Sequence, residues 1–292
     1  MGLVSFVRAE ESTADGVRSA IERSLALIKF GFSKKVNEIV IKPNMCYYYH
    51  PSTGQVTDPT FVGAIIDVIR EHFSNPHISI VESDASAMKC KYAFRMLGYD
   101  KLAQKKGVEL VNLGEVPSRG VDIEIDDCHL NFSIPELFAE CDLLINVPKL
   151  KYMGTPKITC AMKNMYGCNA YRKKSMYHSV IAEAIVGINK LLKTDLVVVD
   201  GIVVFGKEAR KLNLVMASTD LVSVDVAAAR LMGISPKSVR QLSLAAEEGL
   251  GRLDFTPVGD FSFFQQTYPK RGFRENLRNA MASVYLRVLR DS

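Results

Sequence analysis

The sequence has no tryptophan and no apolar run long enough to cross a bilayer as a helix. Its longest apolar runs have the length of β-strands. The N-terminal residues MGLVSFVRAEES contain no hydrophobic segment typical of a secretory signal. We therefore expect no membrane span, no export signal and a cytoplasmic location.

Several motifs that define common enzyme classes are also missing. The sequence contains no G-x-x-x-x-G-K-[ST] phosphate loop, no G-x-G-x-x-G dinucleotide turn, no G-x-S-x-G nucleophile elbow and no H-E-x-x-H metal pair. No nucleic-acid-binding signature is present, and a net charge of +5 over 292 residues is modest. The charge favours small anionic ligands, and we expect no nucleic-acid partner.

The composition is that of a globular protein. Of the 292 residues, 48% are hydrophobic and 24% are charged, which is enough apolar material for one large domain. The six cysteines follow no regular spacing, so we interpret them as reduced thiols.

Predicted strands and helices alternate along the chain. We expect strands at residues 4–8, 38–42, 77–81, 109–111, 142–147 and 196–199, and helices at 14–30, 59–73, 87–105, 179–192 and 219–233. This order is typical of an α/β fold with a mainly parallel, layered sheet and helices on both faces.

Two segments depart from this alternation. Residues 116–134 alternate polar and apolar positions around turn-forming residues, which predicts an inserted antiparallel hairpin. Residues 270–290 predict a basic amphipathic helix that packs on its own domain or on a second subunit, with attachment to a membrane surface as a weaker alternative. We thus expect one α/β domain over residues 1–250 and a C-terminal extension over 251–292.

The most basic stretch of the chain follows a predicted buried strand. Residues 146–178 concentrate lysine and arginine among glycines and small polar residues. Thr155 and Pro156 are typical of a helix start and Gly167 of a helix end, so we predict a helix at 156–166. Helical spacing would place four polar side chains on one face: Thr159, Cys160, Lys163 and Asn164.

Polar clusters follow four of the predicted strands: Lys42-Pro43-Asn44, Glu82-Ser83-Asp84, Asn146-Val147-Pro148-Lys149 and Asp200-Gly201. In open α/β sheets, ligands bind beyond the carboxyl ends of the strands, because loops from neighbouring strands meet there. We therefore expect the four clusters to share one site.

Cysteines and histidines suggest a different chemistry. Four thiols lie within or just after the site motifs, and four thiolates could hold zinc or an iron–sulfur cluster: Cys46, Cys90, Cys160 and Cys168. Isolated cysteines are also common as small buried hydrophobic residues. His178, with His50 as a second candidate, could bind a metal or transfer protons.

Asp225 is a carboxylate that we predict on an apolar helix face. The helix at 219–233 begins with Asp220 as its N-cap and ends before Gly233, and its wheel places Asp225 among apolar side chains. A buried carboxylate needs partners. It either accepts hydrogen bonds from nearby backbone or orients a lysine such as Lys42 or Lys163.

Together the motifs resemble a known family. The ordered set comprises Lys42-Pro43-Asn44, residues 54–59, residues 81–86, residues 146–151, residues 159–167, Tyr177-His178 and residues 219–233. It is similar to the family catalogued as domain of unknown function 362, over about residues 38–235. Many members of that family carry a ferredoxin-like module, and the resemblance therefore implies a redox partner. This chain has no C-x-x-C-x-x-C run of the kind such a module uses.

We formulate three functional hypotheses. The preferred one is a cytoplasmic enzyme acting on a small anionic metabolite. Lys42, Lys149 and Lys151 would neutralise the anion, Asn44, Asn146, Thr159 and Asn164 would orient it, and Lys163, His178, Glu82 and Asp84 would be catalytic. Glu82 and Asp84 could instead bind a divalent metal. The alternatives are a thiol-ligated metal or iron–sulfur protein for electron transfer or metal delivery, and a noncatalytic anion-binding module.

Overall fold

The computed structural model describes residues 2–32, 35–85, 88–152 and 157–270. The strands are β1 (Leu3–Arg8), β2 (Glu38–Pro43), β3 (His77–Glu82), β4 (Glu109–Asn112), β5 (Ser118–Ile125), β6 (Cys128–Pro135), β7 (Leu143–Val147), β8 (Lys149–Tyr152), β9 (Ile158–Thr159), β10 (Leu196–Phe205), β11 (Ala209–Ser218) and β12 (Thr256–Gly259). The helices are α1 (Ala14–Leu27), α2 (Pro59–His72), α3 (Cys90–Leu97), α4 (Tyr99–Lys106), α5 (Leu137–Glu140), α6 (Ala161–Met165), α7 (Ile181–Leu191), α8 (Leu221–Leu231), α9 (Arg240–Glu247) and α10 (Phe261–Thr267).

One mixed, mostly parallel sheet forms the centre of the fold. Its strands lie in the order β12-β1-β11-β10-β7-β2-β3-β4, and β8 and β9 extend from β10. From β10 to β4 every neighbouring pair is parallel, whereas β11 is antiparallel to both β1 and β10. The predicted α/β class with a mainly parallel sheet is confirmed.

Helices cover both faces of the sheet, and each face has its own apolar core. Helices α1, α2 and α3 pack on one face through buried residues such as Ile21, Ile65 and Phe94. Helices α6 to α9 pack on the other, where Met162, Ile185 and Leu242 are buried. The strands between the two layers are apolar on both sides, which is why β2, β3 and β7 are nearly continuous hydrophobic runs.

The predicted hairpin is confirmed as a separate two-stranded antiparallel sheet of β5 and β6. It packs on helix α7, where Gly187 permits a close approach: a Cβ on Gly187 would lie 3.0 Å from the Phe132 ring. The hairpin therefore covers part of the outer helix layer.

Three predicted helices differ from the observed ones. Residues 87–105 form two helices, because Gly98 adopts a left-handed conformation with φ of 83° between α3 and α4. The segment predicted as a helix at 179–192 begins as a 3₁₀ turn at Lys174–Val180 before α7. The predicted helix at 156–166 is wrong in its first half, because Ile158–Thr159 pairs with β8 as a strand and only Ala161–Met165 is α-helical. Its predicted start at Thr155 and Pro156 lies outside the described residues.

The strand predicted at 196–199 is longer than expected. The predicted end at Asp200 and Gly201 is wrong, because β10 continues to Phe205 and pairs with β11, a strand that is not among the predicted ones. A Cβ on Gly201 would meet the Leu214 carbonyl oxygen at 2.8 Å. Gly201 therefore permits close approach at a bulge within the strand and does not form a turn.

The described part of the predicted C-terminal extension belongs to the same sheet. Strand β12 pairs with β1 in parallel, and Phe255 and Phe261 pack against the Phe6 ring at centroid distances of 6.1 and 4.9 Å. Residues 271–292 lie outside the described residues, and with them the predicted amphipathic helix and its role in oligomerisation. Within the described ranges, no helix is both long and apolar enough to span a bilayer.

Candidate functional site

The carboxyl ends of three adjacent parallel strands supply the framework of the site. Lys42 near the end of β2 lies beside Asn146 in β7, and β3 ends at Glu82 on the other side of β2. All three side chains are buried. Because parallel strands end at the same edge, residues far apart in the sequence meet there.

A cavity of about 160 Å³ opens at this edge. Its lining residues come from the ends of β2 and β3, from β8 and β9, and from α6 and the turn that follows. They are Lys42, Asn44, Met45, Cys46, Glu82, Lys151, Thr159, Lys163, Asn164, Tyr166 and Gly167. Among these residues, three lysines face a single carboxylate, so the cavity carries an excess of positive charge when the lysines are protonated.

Lys42 and Glu82 form a buried ion pair on one wall. The Lys42 ammonium donates to Glu82 Oε2 at 2.8 Å and to the Pro43 carbonyl oxygen at 2.7 Å. Glu82 also accepts from the backbone N–H groups of Met45 and Ser83. These bonds replace the water that both charges lose on burial. A Cβ on Gly167 would lie only 3.2 Å from Lys42 Cε, so the absence of a side chain there leaves room for the pair.

A chain of side-chain amides connects the strands to helix α6. Asn146 donates to the Ala161 carbonyl oxygen and accepts from Asn164 Nδ2 at 2.8 Å. Asn164 in turn accepts from Asn44 Nδ2 at 3.0 Å, and Asn44 Oδ1 accepts from the Lys151 ammonium at 2.9 Å. Each amide is thus held at both its oxygen and its nitrogen, which fixes the cavity wall before any ligand binds.

Lys163 differs from the other two lysines of the cavity. Lys151 donates to Asn44 Oδ1 and to the Gln55 carbonyl oxygen, whereas no described residue accepts a hydrogen bond from Lys163. Burial, with a smaller contribution from the charge of Lys151, lowers the pKa of Lys163 to about 8. Lys163 is thus the cavity lysine for which the described residues supply no hydrogen-bond acceptor or counter-ion.

Thr159 is another cavity side chain without a hydrogen-bond partner among the described residues. Its Oγ1 is buried and makes no hydrogen bond within the described part of the chain. A buried hydroxyl without a partner is costly, and such groups are candidates for contact with a ligand or a water molecule.

Several predicted site residues lie behind the cavity or beside it. Lys149 is buried in an ion pair with Asp200 at 2.8 Å, so its charge supports β8 and β10 and does not face the cavity. Asn146 accepts a hydrogen bond from Asn164 and does not itself line the cavity. Asp84 accepts from the Cys90 backbone N–H and from Asn112 outside the cavity. His178 is exposed on the 3₁₀ turn Lys174–Val180. The structure therefore brings Lys42 and Lys163 together, but not Lys149, Asp84 or His178.

Lys174, a buried lysine next to the site, is absent from the predicted site residues. Its ammonium donates at 2.7 Å to Ser83 Oγ and to the Asp84 carbonyl oxygen, and burial lowers its pKa to about 8. Lys174 lies within the basic stretch 146–178, but nothing in its local spacing distinguished it from its neighbours Arg172 and Lys173, which are exposed.

The four thiols predicted as metal ligands do not form a recognisable metal-binding group within the described residues. Cys46 lines the cavity, whereas Cys90, Cys160 and Cys168 are buried separately as free thiols. Burial raises the pKa of all three, to about 12 for Cys168. No group of three or more His, Cys, Asp or Glu side chains suited to a metal ion occurs in the described ranges. Both Glu82 oxygens accept protein hydrogen bonds, and the divalent-metal site of Glu82 and Asp84 stays a prediction.

Asp225 stabilises the start of helix α6 from below. Its carboxylate accepts from the backbone N–H groups of Ala161 at 2.6 Å and Met162 at 3.2 Å. The backbone alternative for Asp225 is therefore confirmed, and the lysine alternative is wrong. Desolvation raises the pKa of Asp225 to about 7. Asp220 accepts from the Ser223 N–H as the predicted N-cap of α8.

Comparison with known proteins places this fold and site in a family. The chain is 24% identical over 264 residues to the thylakoid-associated protein sll1697 of Synechocystis sp., an alignment that covers 85% of this chain and 79% of that protein. The lactate racemase apoprotein of Thermoanaerobacterium thermosaccharolyticum is a distant structural neighbour, with a TM-score of 0.45 and 13% identity. The match covers 80% of this chain, which spans only 58% of that racemase. The family model described as Domain of unknown function (DUF362) matches residues 39–230, the region that holds the whole cavity, and the chain therefore belongs to this family.

Proposed function

We propose that this protein is an enzyme that binds a small anionic metabolite, a carboxylate or a phosphate ester, in the cavity at the carboxyl edge of the sheet. One observation carries the proposal: Lys163 lies in a cavity with two other lysines and has no protein partner among the described residues. A desolvated ammonium group without a counter-ion is unfavourable, and a bound anion would remove that cost.

The remaining donors of the cavity support the same ligand class. Lys42 and Lys151 each use two hydrogen bonds within the protein, and an ammonium group has three N–H donors. Each lysine therefore keeps one donor for a ligand oxygen, and the Thr159 hydroxyl is a further donor. Such fixed donors bind an anion without a large cost of reorganisation.

The dimensions of the cavity favour a small ligand. Its volume of about 160 Å³ lies below the range of roughly 300–1,000 Å³ that is typical of sites for drug-sized molecules. A metabolite with a few carbon atoms is the substrate class we propose. The cytoplasm is the location we propose, because all six cysteines are free thiols, which persist in a reducing compartment.

Binding of small anions to two matched lysine variants tests this function. We expect inorganic phosphate or a short-chain carboxylate to raise the melting temperature of the protein and to bind by calorimetry. Lys163→Met removes the unpaired charge at nearly constant side-chain length and should weaken the affinity by about tenfold or more. Lys157→Met is the control, because Lys157 is exposed and donates to the Ser238 carbonyl oxygen outside the cavity.

Two results would contradict the proposal. One is the absence of binding by every carboxylate and phosphate tested. The other is equal affinity of the wild type and Lys163→Met. Binding without turnover of any metabolite in a screen would instead identify a noncatalytic anion-binding module, and the enzymatic part of the proposal would be wrong.

A further inference from the structure

Lys163 is the cavity lysine whose amine is free to react. The Lys42 and Lys151 ammonium groups are each held by two oxygen acceptors of the protein. No residue in the described ranges accepts a hydrogen bond from Lys163 or forms an ion pair with it. A neutral amine at this position would lose no protein contact, whereas deprotonation of either neighbour would weaken hydrogen bonds that its charge strengthens.

The surroundings of Lys163 favour the neutral amine. Desolvation is the main cause of its lowered pKa, and the nearby Lys151 charge adds to it. With a pKa of about 8, roughly a tenth of the Lys163 side chains would be neutral at pH 7. Desolvation also lowers the pKa of Lys151, but its two acceptor oxygens bind the N–H groups of the charged form.

We infer that Lys163 is a nucleophile that forms a Schiff base with a small carbonyl compound carrying an anionic group. This inference rests on the proposed function, because the anionic group of the substrate binds in the same cavity. The charged form of Lys163, which predominates at pH 7, contributes to anion binding, and the remaining donors of Lys42 and Lys151 hold the anion when the neutral form of Lys163 reacts. Lysines that are desolvated beside another cation are suited to this chemistry, since the neutral amine is the reactive form.

The step balances without a metal or a redox partner. The Lys163 Nζ lone pair forms a bond to the carbonyl carbon, and the carbonyl π electrons move to the oxygen. Transfer of a proton from nitrogen to that oxygen gives a carbinolamine. Protonation of the hydroxyl group and loss of water then give the imine, with the second amine proton released to solvent. The products are one imine and one water molecule from one amine and one carbonyl compound.

Thr159 is placed to assist this step. It lines the cavity with Lys163, and its buried hydroxyl has no acceptor among the described residues. Negative charge develops on the carbonyl oxygen during the attack, and a fixed hydroxyl donor stabilises that charge. The substrate oxygen would then be the hydrogen-bond acceptor that the Thr159 hydroxyl lacks within the described part of the protein.

Two kinds of substrate share the required chemistry. A short 2-oxo acid presents a carboxylate next to its carbonyl group, and a phosphorylated three-carbon ketone or aldehyde presents a phosphate. Pyruvate and dihydroxyacetone phosphate are suitable probes of the two. Propionate and glycerol 3-phosphate have similar sizes and charges but no ketone or aldehyde group, so they serve as competing anions.

Reductive trapping tests the inference. The full-length protein is incubated with each carbonyl probe and sodium borohydride, which reduces an imine to a stable secondary amine, and peptide mass spectrometry locates the adduct. We expect labelling of Lys163 at least about tenfold above that of exposed Lys157, suppressed by the matching anion without a carbonyl group and increasing as the pH is raised from about 7 to 9. Lys163→Arg keeps a positive charge but is not a nucleophile, so it should bind propionate and give no adduct.

The outcomes separate this inference from the proposed function. Propionate or phosphate binding without an adduct on Lys163, or labelling spread evenly over surface lysines, overturns the Schiff base and leaves the anion site intact. If the protein neither binds an anion nor forms an adduct, both the Schiff base and the anion site are overturned. An adduct with pyruvate alone assigns the carboxylate class, and an adduct with dihydroxyacetone phosphate alone assigns the phosphate class.

Discussion

Asp225 shows how one residue supports the cavity without touching it. Its carboxylate is fully buried, and it binds the first two N–H groups of α6, the helix that carries Lys163 and Asn164. Unpaired N–H groups at a helix start attract negative charge, so the ionised form gains these contacts. Burial opposes ionisation, and it is the largest influence on the pKa of Asp225.

The raised pKa of Asp225 predicts a specific pH dependence of stability. The pKa is about 7 in the folded protein and 3.8 for an unperturbed Asp, so the folded state binds the proton more tightly. The stabilising contribution is complete below the unfolded pKa and is lost as the pH rises through about 7. Between pH 5 and 8 this loss amounts to about 2–3 kcal/mol.

Asp225→Asn tests this dependence because the amide cannot ionise. We expect the free energy of unfolding of the variant, measured by urea denaturation, to improve relative to the wild type by about 2–3 kcal/mol from pH 5 to pH 8. Parallel pH profiles for the two proteins would show that Asp225 has no raised pKa.

At the scale of secondary structure elements, α6 is short and depends on its surroundings. It has five residues, fewer than an isolated helix needs for stability in water. Asp225 binds its N-terminus, Asn146 binds the Ala161 carbonyl oxygen, and Asn164 joins it to the β2 edge. Tertiary hydrogen bonds therefore determine where this helix forms.

Asn164 is the residue of α6 whose loss should affect both stability and binding. Asn164→Ala removes a hydrogen-bond partner from two buried groups, the Lys42 carbonyl oxygen and Asn146 Oδ1, and from the half-buried Asn44 Nδ2. Each unpaired buried group costs about 1–3 kcal/mol, so we expect a loss of about 3 kcal/mol in the free energy of unfolding. Anion affinity should also fall, because Asn44 holds the Lys151 ammonium.

Asn131→Ala provides the comparison for Asn164→Ala. Asn131 is an exposed residue of the hairpin whose side chain donates to Asp122 Oδ1 and accepts from the Tyr171 hydroxyl. We expect a loss of no more than about 0.5 kcal/mol and no change in anion affinity, by denaturant titration and calorimetry. Equal losses of unfolding free energy and of anion affinity in the two variants would contradict a role of the amide chain in holding the cavity wall.

The sequence predicted elements well where a local pattern determines them. Alternating apolar strands and amphipathic helices identified the α/β class, and the strand ends identified Lys42, Glu82 and Asn146 as neighbours. Strand Ile158–Thr159 could not be identified in this way, because two residues show no periodicity and pair only with β8. Lys149 and Lys163 both follow β7 among basic residues, yet only folding shows that Asp200 neutralises the first and no described residue neutralises the second.

At the scale of the whole molecule, the cavity and strand β12 lie toward opposite ends of the strand order. The cavity lies at β2, β3 and β7, whereas β12 and α10 pack at the opposite end of the strand order, beside β1. Two apolar cores hold the two regions in one continuous sheet. Changes at the β12 end should therefore affect the stability of the whole domain and leave the anion site of the folded protein unchanged.

Phe264 in α10 is a suitable position to test whether β12 and α10 unfold together with the rest of the domain. Its ring is fully buried, so Phe264→Ala should lower the free energy of unfolding by about 3–5 kcal/mol in a single cooperative transition. Phe263→Ala is the matched control, because that neighbouring ring is 43% exposed and packs over Arg8 at 5.3 Å, and its loss should cost about 1 kcal/mol. Anion affinity, measured by calorimetry well below the melting temperature, should be the same in both variants. If residues 251–270 were a separate unit, Phe264→Ala would leave the main unfolding transition in place. Strand β12 precedes α10 and pairs with β1, so it belongs to the same sheet that positions Lys42 and Glu82. We therefore expect Phe264→Ala to shift the midpoint of the whole unfolding transition.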